Sequence, residues 1–190
     1  MSFRKHNDEG FTGLEAAIVL IAFVVVAAVF SYVVLGAGFF TTQKAQETVY
    51  KGVEQSTTNI QMIGNVYGIS SNPKSAVPTI EQFRFTIGLA PGAPSVNLEK
   101  MNIIVSTPDY GPSTLVWGDV LENKNFTALL NGAGTIQSTM KQGEQMEIRF
   151  NITGVKKDVK VNIEMRPGVG AALPFTKTTP PSIEAINVLY

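Results

Sequence analysis

The chain has 190 residues, enough for one domain of ordinary size with an appendage, and it carries 16% charged and 44% hydrophobic side chains with no formal net charge. That balance excludes the basic field a nucleic-acid binder would show. There is no Cys, which excludes disulfides, thiolate metal sites and Cys nucleophiles, and the single His, His6, stands so near the start that His-based catalysis in the body of the chain is excluded too.

The apolar residues are concentrated early. Residues 1–10, MSFRKHNDEG, form a polar, partly basic leader, then come Phe11-Thr12-Gly13-Leu14-Glu15, and from Ala16 to Phe40 there is no charge at all. As a helix that stretch rises about 37 Å, enough to cross a hydrocarbon core of about 30 Å with some tilt. Fifteen of its residues are Val, Ile, Leu or Phe, and at about 0.3–0.6 kcal/mol each they favour membrane insertion by several kcal/mol. Arg4 and Lys5 on the leading flank predict a cytoplasmic N-terminus and an exported C-terminus. A secretory signal is one alternative, but its apolar region would be about 7–15 residues long, and this run is longer. A simple signal anchor accounts for length and orientation, yet not for Gly10 or Glu15. A carboxylate costs about 2.5–3.5 kcal/mol at a bilayer centre and less near its edge. An acid in a first helical turn is ordinarily a partner of the helix macrodipole. A cut after Gly10, however, would give Phe11 a free ammonium, a natural partner for Glu15 on the same or a neighbouring subunit.

Beyond Phe40 the pattern predicts that the helix continues. Residues 41–56 are polar with good helix formers, Val49 and Val53 make a narrow apolar edge, and Glu47 and Lys51 stand four apart in the favoured order. Gly36 and Gly38 interrupt the apolar part without forming a GxxxG pair. A helix from about Gly13 to about Thr57 would be about 65 Å long.

After about Ile60 the period changes to two. Clean alternation runs through Phe83–Leu89, Met146–Thr153 and Val159–Arg166, and the last two read as an antiparallel hairpin with one wet face. Further strand candidates are Gln61–Gly68, Asn97–Ser106, Thr114–Gly118, Phe126–Leu130, Ala172–Thr176 and Ile183–Tyr190. Turn signals separate them at Pro91-Gly92, 108–112, Asn131-Gly132, Pro167-Gly168 and Pro180-Pro181. Short strands at this spacing predict a β-sandwich with Ig-like layering, though without the Ig disulfide. The fold class is therefore α+β, a long N-terminal apolar helix followed by an all-β sandwich. It divides into a leader at 1–10, a helix at 11–58 and an outer domain at 59–190.

No catalytic constellation survives inspection. Gly168-Val169-Gly170 continues with Ala-Ala-Leu, which makes it a hairpin turn rather than a dinucleotide fingerprint. Asp109, Asp119, Glu122 and Asp158 are scattered over predicted loops. Oxygen ligands of this kind suit Ca²⁺ or Mg²⁺ in general, but solvated loop acids are the commoner meaning, and no metal ligand or cofactor is assigned. Two glycosylation sequons occur, Asn125-Phe126-Thr127 and Asn151-Ile152-Thr153. Asn151 shares a predicted wet strand face with Glu147, Arg149 and Thr153, which favours it as an acceptor in an exported protein.

Gly10 followed by Phe11-Thr12-Gly13-Leu14-Glu15 and the apolar run resembles the class III signal of type IV pilin-like proteins. The continuation to about Gln43 is similar to the archaellins, subunits of the archaeal swimming filament. Two weaker likenesses extend the match, the segment Ala90–Val105 and the threonine-proline stretch Thr176–Ile183 before the last strand. The resemblance implies cleavage between Gly10 and Phe11 by a membrane prepilin-type peptidase, and assembly through the helix with Gly13 and Glu15 at its head. It also implies self-association into an extracellular filament, alone or with paralogous archaellins, and insertion in the cell membrane beforehand. Rotation would come from a basal motor and assembly machinery, with no catalysis in the subunit. Two other readings stay open on the sequence, an adhesive type IV-like pilin and a solitary membrane-anchored β-domain that binds a ligand.

Overall fold

The structure, a computed structural model, describes residues 13–132 and 134–190. The proposed leader, Gly10 and Phe11 lie outside the described residues. The chain divides between Tyr50 and Lys51 into two compact units.

Helix α1 spans Gly13–Thr57, 45 residues. Its composition explains its length. The apolar run contains no Pro, and the Thr residues of the polar part beyond it satisfy their own hydroxyls by donating to the preceding turn. Thr41 Oγ1 reaches Ala37 O at 2.8 Å, Thr42 Oγ1 reaches Gly38 O at 2.9 Å, and Thr48 Oγ1 reaches Lys44 O at 2.9 Å. Lys44 also reaches the Glu47 carboxylate at 2.7 Å.

Eleven strands follow. They are β1 Ile60–Ile69, β2 Ile80–Leu89, β3 Val96–Asn97, β4 Asn102–Ser106, β5 Ser113–Trp117, β6 Asn125–Leu130, β7 Thr139–Met140, β8 Gln145–Val155, β9 Lys160–Arg166, β10 Leu173–Thr178 and β11 Ile186–Leu189. Nine of them form one sheet in the order β10-β9-β4-β5-β6-β8-β2-β1-β11, while β3 and β7 pair separately. Every pairing is antiparallel except β5–β6, a parallel join of only two residue pairs, Val116↔Asn125 and Trp117↔Phe126. At that weak join the sheet turns back on itself, so β10, β9, β4 and β5 face β6, β8, β2, β1 and β11. The ends of the sheet then meet: Thr178 N donates to Tyr190 O at 2.8 Å and Tyr190 N to Thr178 O at 3.3 Å.

Alternation decides which side chains fill the space between the layers. Phe83, Phe85 and Ile87 of β2, Met146, Ile148 and Phe150 of β8, and Val161, Ile163 and Met165 of β9 are all essentially inaccessible. Phe150 stacks on Phe83 with ring centres 5.5 Å apart, and Phe85 meets Phe175 of β10 edge-on at 5.3 Å. The second contact joins the two layers.

Three sequence expectations need correction. The alternating runs of β8 and β9 do not form a hairpin with each other. β8 is central in its layer, between β2 and β6, whereas β9 pairs with β4 and β10. The link between them, with Asp158 at φ 56, crosses from one layer to the other. Thr179, fully buried, holds that crossing: its hydroxyl donates to Lys156 O at 2.8 Å and accepts from Val159 N at 2.8 Å. Alternation reports which face is buried and is blind to which neighbour supplies the ladder. The second correction concerns Asn97–Ser106, which is not one strand. A 3-10 turn at Leu98–Lys100 interrupts it, because the Asn97 side chain accepts from Glu99 N at 2.8 Å and Leu98 turns into the core. The strand expected at Ile183–Tyr190 is shorter, beginning at Ile186, and β7 had no sequence signal of its own.

Phe85→Ala should lower the unfolding free energy of detergent-held subunits by about 3–5 kcal/mol, since it removes a ring shared by both layers. Val77→Ala, on an exposed loop, should change it by less than about 0.5 kcal/mol. Denaturant melts followed by circular dichroism of the β signal read both.

Candidate functional site: an assembly helix and a sequon strand

No residue of α1 is buried within its own chain. Phe23, Phe30 and Phe39 are each about 70% exposed, and the Val, Ile and Leu residues from Leu14 to Leu35 are exposed around the whole circumference. A helix apolar on all sides is stable only where something else surrounds it. By length and composition it is able to cross a membrane. Glu15 sits in its first turn, where the macrodipole favours a negative charge. A Cβ built on Gly13, Gly36 or Gly38 would meet nothing within 4 Å, so these positions leave the helix surface slim for whatever packs there.

The last turn of α1 is seated in the second unit. Thr58, buried, donates its hydroxyl to Glu54 O at 2.7 Å and its amide to the same oxygen at 3.0 Å. Gly170, at φ +109, lies directly against it, and a Cβ there would stand 2.4 Å from Thr58 O. Sequence reasoning read Gly168–Gly170 as a turn, which it is, but the contact with Thr58 had no local signal.

The two sequon asparagines have different surroundings. Asn125 opens β6, and both ends of its amide are used locally. Its Oδ1 accepts from Glu122 N at 2.7 Å and its Nδ2 donates to Val120 O at 2.7 Å. Thr127, the third sequon residue, is buried. A glycan on Nδ2 of Asn125 would compete with the bond that shapes the 120–125 loop. Asn151 lies in β8 on the outward face, opposite Gln82 of β2. Its Oδ1 accepts from Gln82 Nε2 at 3.2 Å, and Thr153 is exposed. The expected wet face is half-buried rather than open, because the Gln82 side chain lies against Asn151 and the turn at Gly132 lies against Glu147 and Arg149. Arg149 there pairs with Glu147 and donates to Gly132 O at 2.6 Å.

Elsewhere the charge is superficial. On β9 the Arg166 guanidinium bonds the Glu164 carboxylate at 2.8 Å and holds it below the usual carboxylate range. Among the described residues no three His, Asp or Glu side chains converge as metal ligands, and Asp109, Asp119, Glu122 and Asp158 do not gather.

Comparison with known proteins agrees with this arrangement. The family model for archaeal-type flagellin matches residues 10–177. Probable flagellin 1 of Archaeoglobus fulgidus is 39% identical over an alignment spanning 100% of this chain and 98% of its own length. The 24 kDa flagellin of Methanospirillum hungatei is 91% identical over 32 residues, 17% of this chain and 100% of that sequence. The solved archaeal flagellum of Methanospirillum hungatei strain JF1 superposes with a TM-score of 0.73 at 34% identity, covering 95% of this chain and 100% of the other. With that filament as its structural match and a helix that buries none of its described residues, the chain belongs to the archaeal-type flagellin family, whose members are structural filament subunits rather than enzymes, and is itself a structural subunit of an extracellular filament.

Proposed function

We propose that the subunit has two successive lives on one helix. It is made with residues 1–10 as a class III leader and waits in the cell membrane through the helix at 11–58, with the β-domain at 59–190 outside. A prepilin-type peptidase cuts between Gly10 and Phe11. The helix then exchanges lipid for neighbouring helices and becomes the filament core, with the β-domains as the outer layer. The observation that carries this reading is that α1 is apolar on every side and buries nothing of itself. Both environments cover that surface, so little apolar area meets water at either stage. The filament is a self-polymer, alone or mixed with paralogous archaellins, and a basal motor turns it for swimming.

Glu15 and Gly13 set the assembly at the head of the helix. In the membrane Glu15 lies near the edge of the hydrocarbon, where a carboxylate costs little. In the core it pairs with the ammonium that cleavage creates on Phe11, of the same or a neighbouring subunit. A buried pair that loses one partner costs about 3–5 kcal/mol, and in a polymer the loss recurs at every subunit. Gly13 keeps the head of the helix slim for close approach. Glycosylation is part of the same proposal, with Asn151 as the acceptor: its Oδ1 alone is engaged, whereas the Asn125 amide is engaged at both ends.

Three measurements test these points. N-terminal sequencing of native filaments should begin at Phe11, and a start at Met1 would remove the cleavage step. Glu15→Ala should abolish filaments or change their subunit spacing in electron micrographs, and unchanged spacing would remove its register role. Glycopeptide analysis should find a modified Asn151 and an unmodified Asn125, and the reverse pattern would sink the geometric argument.

A further inference from the structure

The strand that carries Asn151 also walls a cleft of about 450 Å³. Its origin is the weak β5–β6 join. Only Val116 and Trp117 of β5 pair with β6, and the β6–β8 ladder ends at Phe126↔Phe150, so past Phe150 β8 has on that side only the single bridge Asn123↔Asn151. The sheet therefore parts between Ser113–Leu115 and Asn151–Thr153, leaving backbone edges open to the gap. Val105, Leu115 and Phe150 make an apolar floor. Tyr110, 42% exposed, stands at the rim. Its backbone is fixed by Thr107, which donates its amide to Tyr110 O at 3.1 Å and accepts from Tyr110 N on its hydroxyl at 3.1 Å. Among the described residues Lys124 is the one charged side chain on the walls, held at φ 72.

We infer that this cleft is a saccharide seat, and that it holds the inner sugars of the glycan on Asn151. The inference rests on the proposal that Asn151 is modified. Gln82 takes the Asn151 Oδ1 from the β2 side, which leaves Nδ2, the atom that would bear the sugar, unengaged on a residue that lines the cleft. An aromatic ring at the rim suits the apolar face of a pyranose, and open amides, Asn123 and Thr153 suit its hydroxyls. The volume falls in the ordinary range of small-ligand pockets. The seat needs no high affinity, because a tethered sugar is present at an effective concentration on the order of millimolar. With Lys124 as the only wall charge, a sugar bearing a carboxylate is preferred over one bearing an amine. Seated sugars would tie β5 to β8 where the ladder fails to.

Native filaments supply the test. Glycopeptide mass spectrometry first establishes occupancy at Asn151. If it is occupied, hydrogen exchange at 113–115 and 123–124 is compared among wild type, Thr153→Val (which deletes the sequon and keeps Asn151) and Tyr110→Ala with its glycan retained. The expected result is exchange about tenfold faster in both variants. Unchanged exchange in both overturns the seat while leaving the glycosylation proposal intact. If Asn151 is bare, the glycosylation proposal fails separately. The cleft is then probed with a glucuronic acid–N-acetylglucosamine disaccharide by saturation-transfer NMR. Transfer that is lost in Tyr110→Ala supports a seat for an external saccharide, and no transfer overturns it. Protection that survives Thr153→Val and disappears when subunits are dissociated would mean a neighbouring chain fills the gap, which also overturns the inference.

Discussion

One constraint governs the molecule: α1 has no cover of its own. Fifteen large apolar side chains between Ala16 and Phe40 are left outside any core of the single chain. At about 1.5–3 kcal/mol for each such side chain, full exposure to water would cost some tens of kcal/mol. That exceeds the whole stability of an ordinary domain, about 5–15 kcal/mol. The helix is thus committed to company, lipid or protein, at every moment of its existence. The β-domain, by contrast, carries a buried apolar core of its own, from Ile60 to Leu189.

That core is what holds the two layers together. Without a disulfide, the two layers are joined by interdigitated aromatics, with Phe85 touching Phe150 beside it and Phe175 opposite. The short crossing between layers after β8 is fixed by one buried hydroxyl, that of Thr179, which serves a carbonyl and an amide at once. The end of the helix is seated by Thr58 against Gly170. These are small polar and backbone contacts at places where the layers or segments must be brought together, and large apolar contacts everywhere else.

The helix was legible in the sequence because its signals are local: a long uncharged run, no Pro, and polar helix formers beyond. The strand faces were legible for the same reason, since Phe83, Phe85 and Ile87 announce a buried side by alternation alone. The partners were not. β8 and β9 look like a hairpin because they are adjacent and both alternate, yet the four residues between them leave one layer for the other, and only the pairing of β8 with β2 and β6 reveals it. The interruption at Leu98–Lys100 was hidden because a short Asx turn leaves little trace in a run such as Val-Asn-Leu-Glu-Lys-Met. Both sequons were found as motifs. What separates Asn125 from Asn151 is whether the side-chain amide is already employed by the loop around it, and spacing carries no information on that point.

The mutual hydrogen bonds between Thr178 and Tyr190 have a wider meaning in a polymer. A fibre crowds its outer domains, and unpaired strand borders at such density would invite neighbouring sheets to zip together. Joining the ends of the sheet at Thr178 and Tyr190 closes that border at one residue pair and so narrows the invitation. In the proposed assembly, recognition between copies would then fall mainly to the greasy shaft, which favours ordered growth over disordered β-aggregates.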